Sequence, residues 1–376
     1  MIQPLRDWVY TPGERLGGGG YAQAYRCRNA AFPDGDYAIK VFDDPTYANT
    51  FEKEVRVLQA LEGCPGTPPL VDYGRNAEGR LCIVSGFVPG VRLDRHIRAN
   101  GSLSLEQALA LIAQILAVLS YAHSRGLLHK DIKASNILMD GERFTLLDWG
   151  VAEARGNGRS ETIRAKQDFV APECYWGDHD FATDFYSLGW LAVYALSGGL
   201  PYHFAAIPDL DYRVAAHCLE RPELPAGIPP PLRNLVTNWL GKKPESRLVG
   251  YDLPALLADA AGREADFSGA MDLRLNLRLN LRQIQREFSY IHLSARHGIP
   301  YAQYQFALRL LKQGCDNEAM YWLEQAREAG YVRATYRLAR VLAKGGRAEE
   351  LMQQAVHAGY AKAQYMQGMS RLRVGA

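Results

Sequence analysis

The spacing of apolar and polar positions changes period several times along the chain, and each change predicts an element. From Trp8 to Asn29 residues alternate on either side of Gly17-Gly18-Gly19-Gly20, which predicts two strands joined by a glycine turn. Tyr37 to Phe42 predicts a third strand with Lys40 in its middle, and the preceding Asp34-Gly35 is a hairpin turn signal. Phe51, Val55, Leu58 and Leu61 recur at helical spacing, with Glu54 on the flank of the stripe. Thr67 to Tyr73 and Leu81 to Val84 add two strands around a turn at Glu78-Gly79. Leu105 to His123 is apolar on most sides and reads as a buried helix; its greasy stretch, broken by Gln114 and Ser120, is too short to span a bilayer.

Beyond Ala265 the pattern changes. Leu273 to Arg282 alternates strictly, as a strand does, yet leucine and arginine are good helix formers. The reading leans to helix because helical spacing follows. A joint then recurs in His297-Gly298-x-x-x-Ala302, Ala329-Gly330-x-x-x-Ala334 and Ala358-Gly359-x-x-x-Ala363, with the glycines 32 and 29 residues apart. Periods of this length predict stacked helical hairpins, none able to bury its face alone.

Composition narrows the class. A chain of 376 residues with 48% hydrophobic and 22% charged positions has room for two or three domains of ordinary globular make-up. A net charge of +2 gives no electrostatic reason to expect nucleic acid or an acidic membrane as partner. The six cysteines are scattered without a C-x-x-C pair, which argues against a disulfide framework or a zinc site and suits a reducing cytoplasm. The opening MIQPLRDW has no apolar run that could act as a signal peptide.

The chemistry concentrates in His129 to Leu138, HKDIKASNIL. A carboxylate (Asp131), a cation (Lys133) and an amide (Asn136) share one short segment, and a second carboxylate, Asp148, follows 17 residues after the first. A base, a phosphate-facing cation and oxygen donors for a metal are what phosphoryl transfer from a nucleotide needs. The glycine run fits a flexible loop or a lid whose backbone amides approach phosphates. No Walker Gly-Lys-Ser/Thr follows it, and the alternation after it favours a strand over the helix of a dinucleotide fold.

Taken in order, these segments resemble the protein kinases. H-x-D-x-x-x-x-N resembles their catalytic loop, Asp148-Trp149-Gly150 their metal-binding tripeptide, and Ala38-Ile39-Lys40 part of their V-A-I-K strand. Ala171-Pro172-Glu173 resembles the A-P-E that closes the activation segment, and Asp184 the aspartate that braces the catalytic loop. Arg247 resembles the late arginine paired with that glutamate. The resemblance spans about residues 8 to 260 and implies an α+β bilobal kinase fold, with an N-lobe over about 1–86 and a C-lobe over about 87–265. It also implies a serine/threonine protein kinase using ATP and Mg2+ on a protein substrate. In that reading Asp131 is the base, Lys133 steadies the γ-phosphate, and Asn136 and Asp148 hold magnesium. Lys40, paired to Glu54 rather than Glu52, positions the α- and β-phosphates. Leu16, Gly17, Gly18, Gly19 and Gly20 cover the nucleotide, Ser85 stands behind the adenine, and Phe87 and Val88 belong to the hinge. The small Ser85 implies a roomy pocket.

Four positions depart from the family pattern. Ala22 replaces the third glycine of the lid, and Trp149 the usual phenylalanine. Lys130 replaces the arginine that clamps a phosphorylated activation segment, here the stretch with Ser160 and Thr162; lysine lacks the bidentate fork. Lys166 stands where serine/threonine members carry a threonine. Residues 266–376 resemble Sel-like repeats of the tetratricopeptide type, which implies a docking surface for a protein partner or a brace for the kinase lobe. The rival functional reading is a pseudokinase scaffold whose repeats do the binding.

Overall fold

A β-strand sends successive side chains to opposite faces, and that alternation places the first functional residue. Strands β1 (Val9–Gly18), β2 (Ala22–Arg28), β3 (Tyr37–Phe42), β4 (Leu70–Arg75) and β5 (Leu81–Gly86) form one five-stranded sheet in the order β1-β2-β3-β5-β4, each neighbouring pair antiparallel. Ile39 and Val41 bury one face of β3 with Trp8, Cys27, Cys82 and Val84. Phe42 packs on the other face against helix α1 (Ala48–Ala60), its ring 5.7 Å from that of Phe51. Lys40, two residues before Phe42, therefore points toward α1. In this computed structural model the described residues are 5, 7–18, 22–154, 169–199, 210–263, 265–267, 290–343 and 345–374. Gly19, Gly20, Ser160, Thr162, Lys166 and the alternating stretch 273–282 lie outside them. The Asp34-Gly35 signal does not mark a two-residue hairpin. The β2–β3 connection is longer, because Phe32 turns back to stack on Trp8 at 6.0 Å.

After β5 the chain becomes mostly helical. Helices α2 (Leu93–Asn100) and α3 (Leu105–His123) follow the short strand β6 (Val91–Arg92). Ser104 and Gln107 close a capping box at the start of α3. By length and composition α3 could cross a membrane, but Leu111, Ile112, Ile115, Leu116 and Leu119 are fully buried in the protein core. Strands β7 (Leu127–Leu128), β8 (Ile137–Asp140), β9 (Arg143–Leu146) and β10 (Glu153–Ala154) frame the segment between them. Helix α4 (Phe181–Ser197), capped by Asp180 and Thr183, runs through the centre, with α5 (Leu210–Leu219), α6 (Pro230–Trp239) and α7 (Leu253–Ala260) around it. Trp190, Trp239, Tyr186 and Phe185 fill the core they share.

Among the described residues six more helices follow: α8 (Tyr290–Arg296), α9 (Pro300–Lys312), α10 (Asp316–Glu328), α11 (Val332–Leu342), α12 (Gly346–His357) and α13 (Ala361–Val374). Gly298, Gly330 and Gly359 each end a helix with φ of 79°, 81° and 80°. In each case the next amide donates back to a carbonyl five residues earlier: Ile299 to Ser294, Tyr331 to Ala326 and Tyr360 to Ala355. This is the Schellman closure, which wants glycine because its backbone is left-handed. Ala302, Ala334 and Ala363, four residues on, are fully buried at the helix contacts. Replacing Ala334 with Leu should overpack that contact and cost about 1–3 kcal/mol. A denaturant midpoint unchanged from wild type would show that the joint has spare room.

These helices do not stand apart. Tyr301 of α9 lies against Tyr175, ring centroids 5.7 Å apart, and Ile291, Ala295 and Ile299 join the same apolar cluster as Tyr212 and Trp239.

Candidate active site

The β8–β9 hairpin explains how distant residues meet. Ile137 pairs with Leu146, so the residues just outside the pair, Asn136 and Leu147, also face each other, and the Leu147 amide donates to the Asn136 carbonyl at 2.7 Å. Asp148 is the next residue, in the left-handed region with φ 60°. A non-glycine residue there is uncommon and is held by its surroundings. Lys40 Nζ donates to Glu54 Oε1 at 2.7 Å, to Glu54 Oε2 at 2.9 Å and to Asp148 Oδ1 at 3.0 Å. Glu54 is buried on α1, whereas Glu52 is exposed and pairs with Arg56. The charge on Lys40 thus links the sheet, α1 and the segment after β9.

Asp131 is buried as well. Its Oδ2 accepts from Lys133 Nζ at 2.8 Å and from Asn136 Nδ2 at 3.0 Å, and Asn136 Nδ2 also reaches the Asp131 carbonyl at 2.9 Å. The amide nitrogen being spent on Asp131, Oδ1 is the atom that Asn136 can offer a cation. Asp184, fully buried, accepts the backbone amides of His129 and Lys130, both at 2.8 Å, and pairs with His123 at 2.9 Å. Burial would raise the Asp184 pKa, but its contact with His123 and the hydrogen bond from the Lys130 amide together help hold the carboxyl below its ordinary range. His129 receives the Asp131 amide on Nδ1 and lies 3.2 Å from the Leu147 carbonyl through Nε2. It is therefore the Nε2-protonated neutral ring, consistent with a pKa lowered by burial. The Trp149 ring meets His129 edge-on at 4.5 Å and is buried.

Of the other positions chosen from sequence, Leu16 lies on β1 and is exposed. Gly17 pairs with Ala24, and Gly18 with Gln23. Ser85 sits opposite Ala38 at the end of β5. The Gly86 and Phe87 amides are already committed, to the carbonyls of Pro69 and Asp36 at 2.9 Å each. In this hinge a base would look to the backbone of Val88. Arg26 covers the Phe87 ring at 4.4 Å while its side chain bonds Asp36 at 2.6 Å. Glu173 and Arg247 form a buried bidentate pair, 2.7 and 2.8 Å. Burial would raise the Glu173 pKa, yet Arg247 more than offsets it and the carboxyl stays ionised.

Sequence reasoning missed two sets of residues. Arg26 and Asp36, which brace the hinge, carry no motif. Neither do Lys53 and Glu153, which meet at 2.7 Å although 100 positions apart. Only the departure at Lys130, whose ammonium also reaches Glu153 at 2.7 Å, hinted that this corner is built differently.

A β-sheet lobe, a helical lobe and a polar cluster at their junction define the kinase class of architecture. Comparison with known families agrees: the model of the protein kinase domain matches residues 10–255, and the chain belongs to that family. It is similar to the serine/threonine-protein kinase PknH of Mycobacterium tuberculosis, 28% identical over 272 residues that cover 69% of this chain and 42% of that protein. It is also similar to PknA of the same organism, 33% identical over 242 residues covering 60% and 56%. Serine/threonine-protein kinase D of Synechocystis matches at 29% over 218 residues, 52% of this chain and 42% of that protein. The chain spans about half the length of these relatives in its matched part.

Proposed function

We propose that the protein is an ATP- and magnesium-dependent serine/threonine protein kinase. The observation that carries this reading is Lys40 bonded at once to Glu54 and Asp148, which the Leu147–Asn136 backbone bond joins to an Asp131 carboxylate held by Lys133 and Asn136. The donor set fits the cofactors. Asp148 and the Asn136 Oδ1 are hard oxygen donors, and two of them suit a magnesium ion that also takes phosphate oxygens and water. Among the described residues no group of three or more His, Cys, Asp or Glu could cage a metal alone. When bound, magnesium neutralises charge on the phosphates. Lys40 holds the α- and β-phosphates, the Gly17–Gly18 backbone covers them, and the Val88 backbone meets the base below Ser85. Asp131 accepts the proton of the acceptor hydroxyl, and Lys133 stabilises the charge passing through the γ-phosphoryl.

The recurrence of the glycine closure at residues 298, 330 and 359 supports a second proposal, that the C-terminal helices are Sel-like repeats. Their outer members, from α11 onward, would dock a protein partner while the inner ones brace the helical lobe. The test of activity uses the full chain with γ-labelled ATP, magnesium and a basic carrier protein. Label on serine or threonine that vanishes with a chelator is the expected result. No transfer to carrier or to the chain itself would overturn the kinase reading.

A further inference from the structure

Glu153 falls outside every motif, yet it lies between the two halves of the site. It opens β10, which pairs with β7 so that Glu153 faces Leu128. One carboxylate oxygen accepts from Lys130 Nζ and the other from Lys53 Nζ, each at 2.7 Å. Lys130 directly precedes Asp131, and Lys53 directly precedes Glu54 on α1. We propose that Glu153 is a positioning residue: its carboxylate ties α1 to the Asp131 segment and so keeps the Lys40–Glu54 pair and the Asp131 carboxylate in one arrangement. The proposal rests on the phosphotransferase reading given above.

Three features support the tie. The Lys130 side chain is only 4% exposed and its backbone is left-handed, φ 67°, so its ammonium is aimed rather than free to swing. Burial would raise the Glu153 pKa, but Lys130 first and Lys53 second bring it down to about 2. The carboxylate is ionised at any physiological pH. It is also carried by the chain itself, so the tie needs no modification of the protein. The competing explanation is that Glu153 merely neutralises the buried Lys130. Lys53 separates the two, because its side chain is 37% exposed and its charge needs no buried partner.

The test compares the full-length wild type with Lys53→Met, Glu153→Gln and the double variant, all treated with phosphatase beforehand. Lys53→Met should leave the melting temperature unchanged, because a partly exposed ion pair contributes little stability. It should lower kcat about tenfold or more, the usual penalty for a displaced site. Glu153→Gln should lower it at least as far, and the double variant no further, because both act through one contact. Amide hydrogen exchange over residues 48–60 should speed up in Glu153→Gln, although the substitution lies on another element. Wild-type kcat in Lys53→Met, or unchanged exchange over 48–60 in Glu153→Gln, would overturn the proposal. Loss of wild-type activity on phosphatase treatment would also overturn it. If the wild type transfers no phosphate before that treatment, the phosphotransferase reading fails instead, and the exchange measurement alone decides the tie. If Glu153→Gln does not fold, kcat of Lys53→Met decides it.

Discussion

Asp131→Asn is expected to lower kcat for phosphoryl transfer on the order of 10³-fold, the contribution of a positioned general base. The substitution keeps the shape of a side chain that is 2% exposed, so the fold should survive. What changes is chemistry. The carboxylate oxygen that accepts from both Lys133 and Asn136 becomes part of an amide with no proton affinity near neutral pH. The amide oxygen can still accept from Lys133 and Asn136 in the place of Oδ2, but the other terminal atom becomes a donor that cannot take a proton from an acceptor hydroxyl. Nucleotide affinity should change little, since Lys40, Glu54 and Asp148 are untouched. The check is single-turnover transfer to a carrier protein, beside a thermal melt in the presence of magnesium and ATP. Undiminished transfer with an intact melt would move the site away from Asp131.

Arg247→Ala should be the most destabilising single change at a residue remote from the nucleotide, costing about 3–5 kcal/mol. Its guanidinium bonds both oxygens of Glu173, the carbonyls of Ala182 and Gly241, and lies over the Tyr186 ring at 4.9 Å. Removing it leaves a buried carboxylate with neutral donors, Thr183 and its own backbone amide, but no opposing charge from Arg247. Removing both charges is a different experiment. Glu173→Met with Arg247→Met should recover part of the loss, because no charge is stranded and the volume is kept. Urea midpoints of the single and double variants decide it. A double variant no better than Arg247→Ala would mean that the carbonyl contacts, rather than the ion pair, hold this corner.

Much of the molecule could be read from residues alone, for identifiable reasons. Helix α3 is legible because Leu105 to His123 is apolar on most sides, and β3 because a short apolar run around Lys40 follows a turn signal. Lys40, Asp131, Asn136 and Asp148 sit at fixed spacings on segments whose periods are clear. The choice of Glu54 over Glu52 was legible from the stripe, since residue 54 falls beside Phe51 and Val55 on the buried side. What could not be read depends on tertiary meeting. Nothing local says that Glu153 will lie between residues 53 and 130. Nothing local says that Phe32 will fold back on Trp8 and lengthen the β2–β3 loop. Nor does the period of the C-terminal helices say where their first members lie, because helical spacing specifies an apolar face and not its partner.

Under the docking proposal, the seat of the C-terminal helices would govern how an acceptor reaches the cleft. Tyr301 and its neighbours seat the first C-terminal helices directly on the helical lobe. A protein gripped by the outer helices would then be carried on a fixed arm rather than on a leash. On a leash, the local concentration of the acceptor is set by linker length and falls slowly as the linker grows. On a fixed arm it is set by distance and angle, so a hydroxyl a few residues too near or too far along the same partner never arrives. The arm would work as a ruler, choosing among chemically identical serines and threonines by their position relative to the grip.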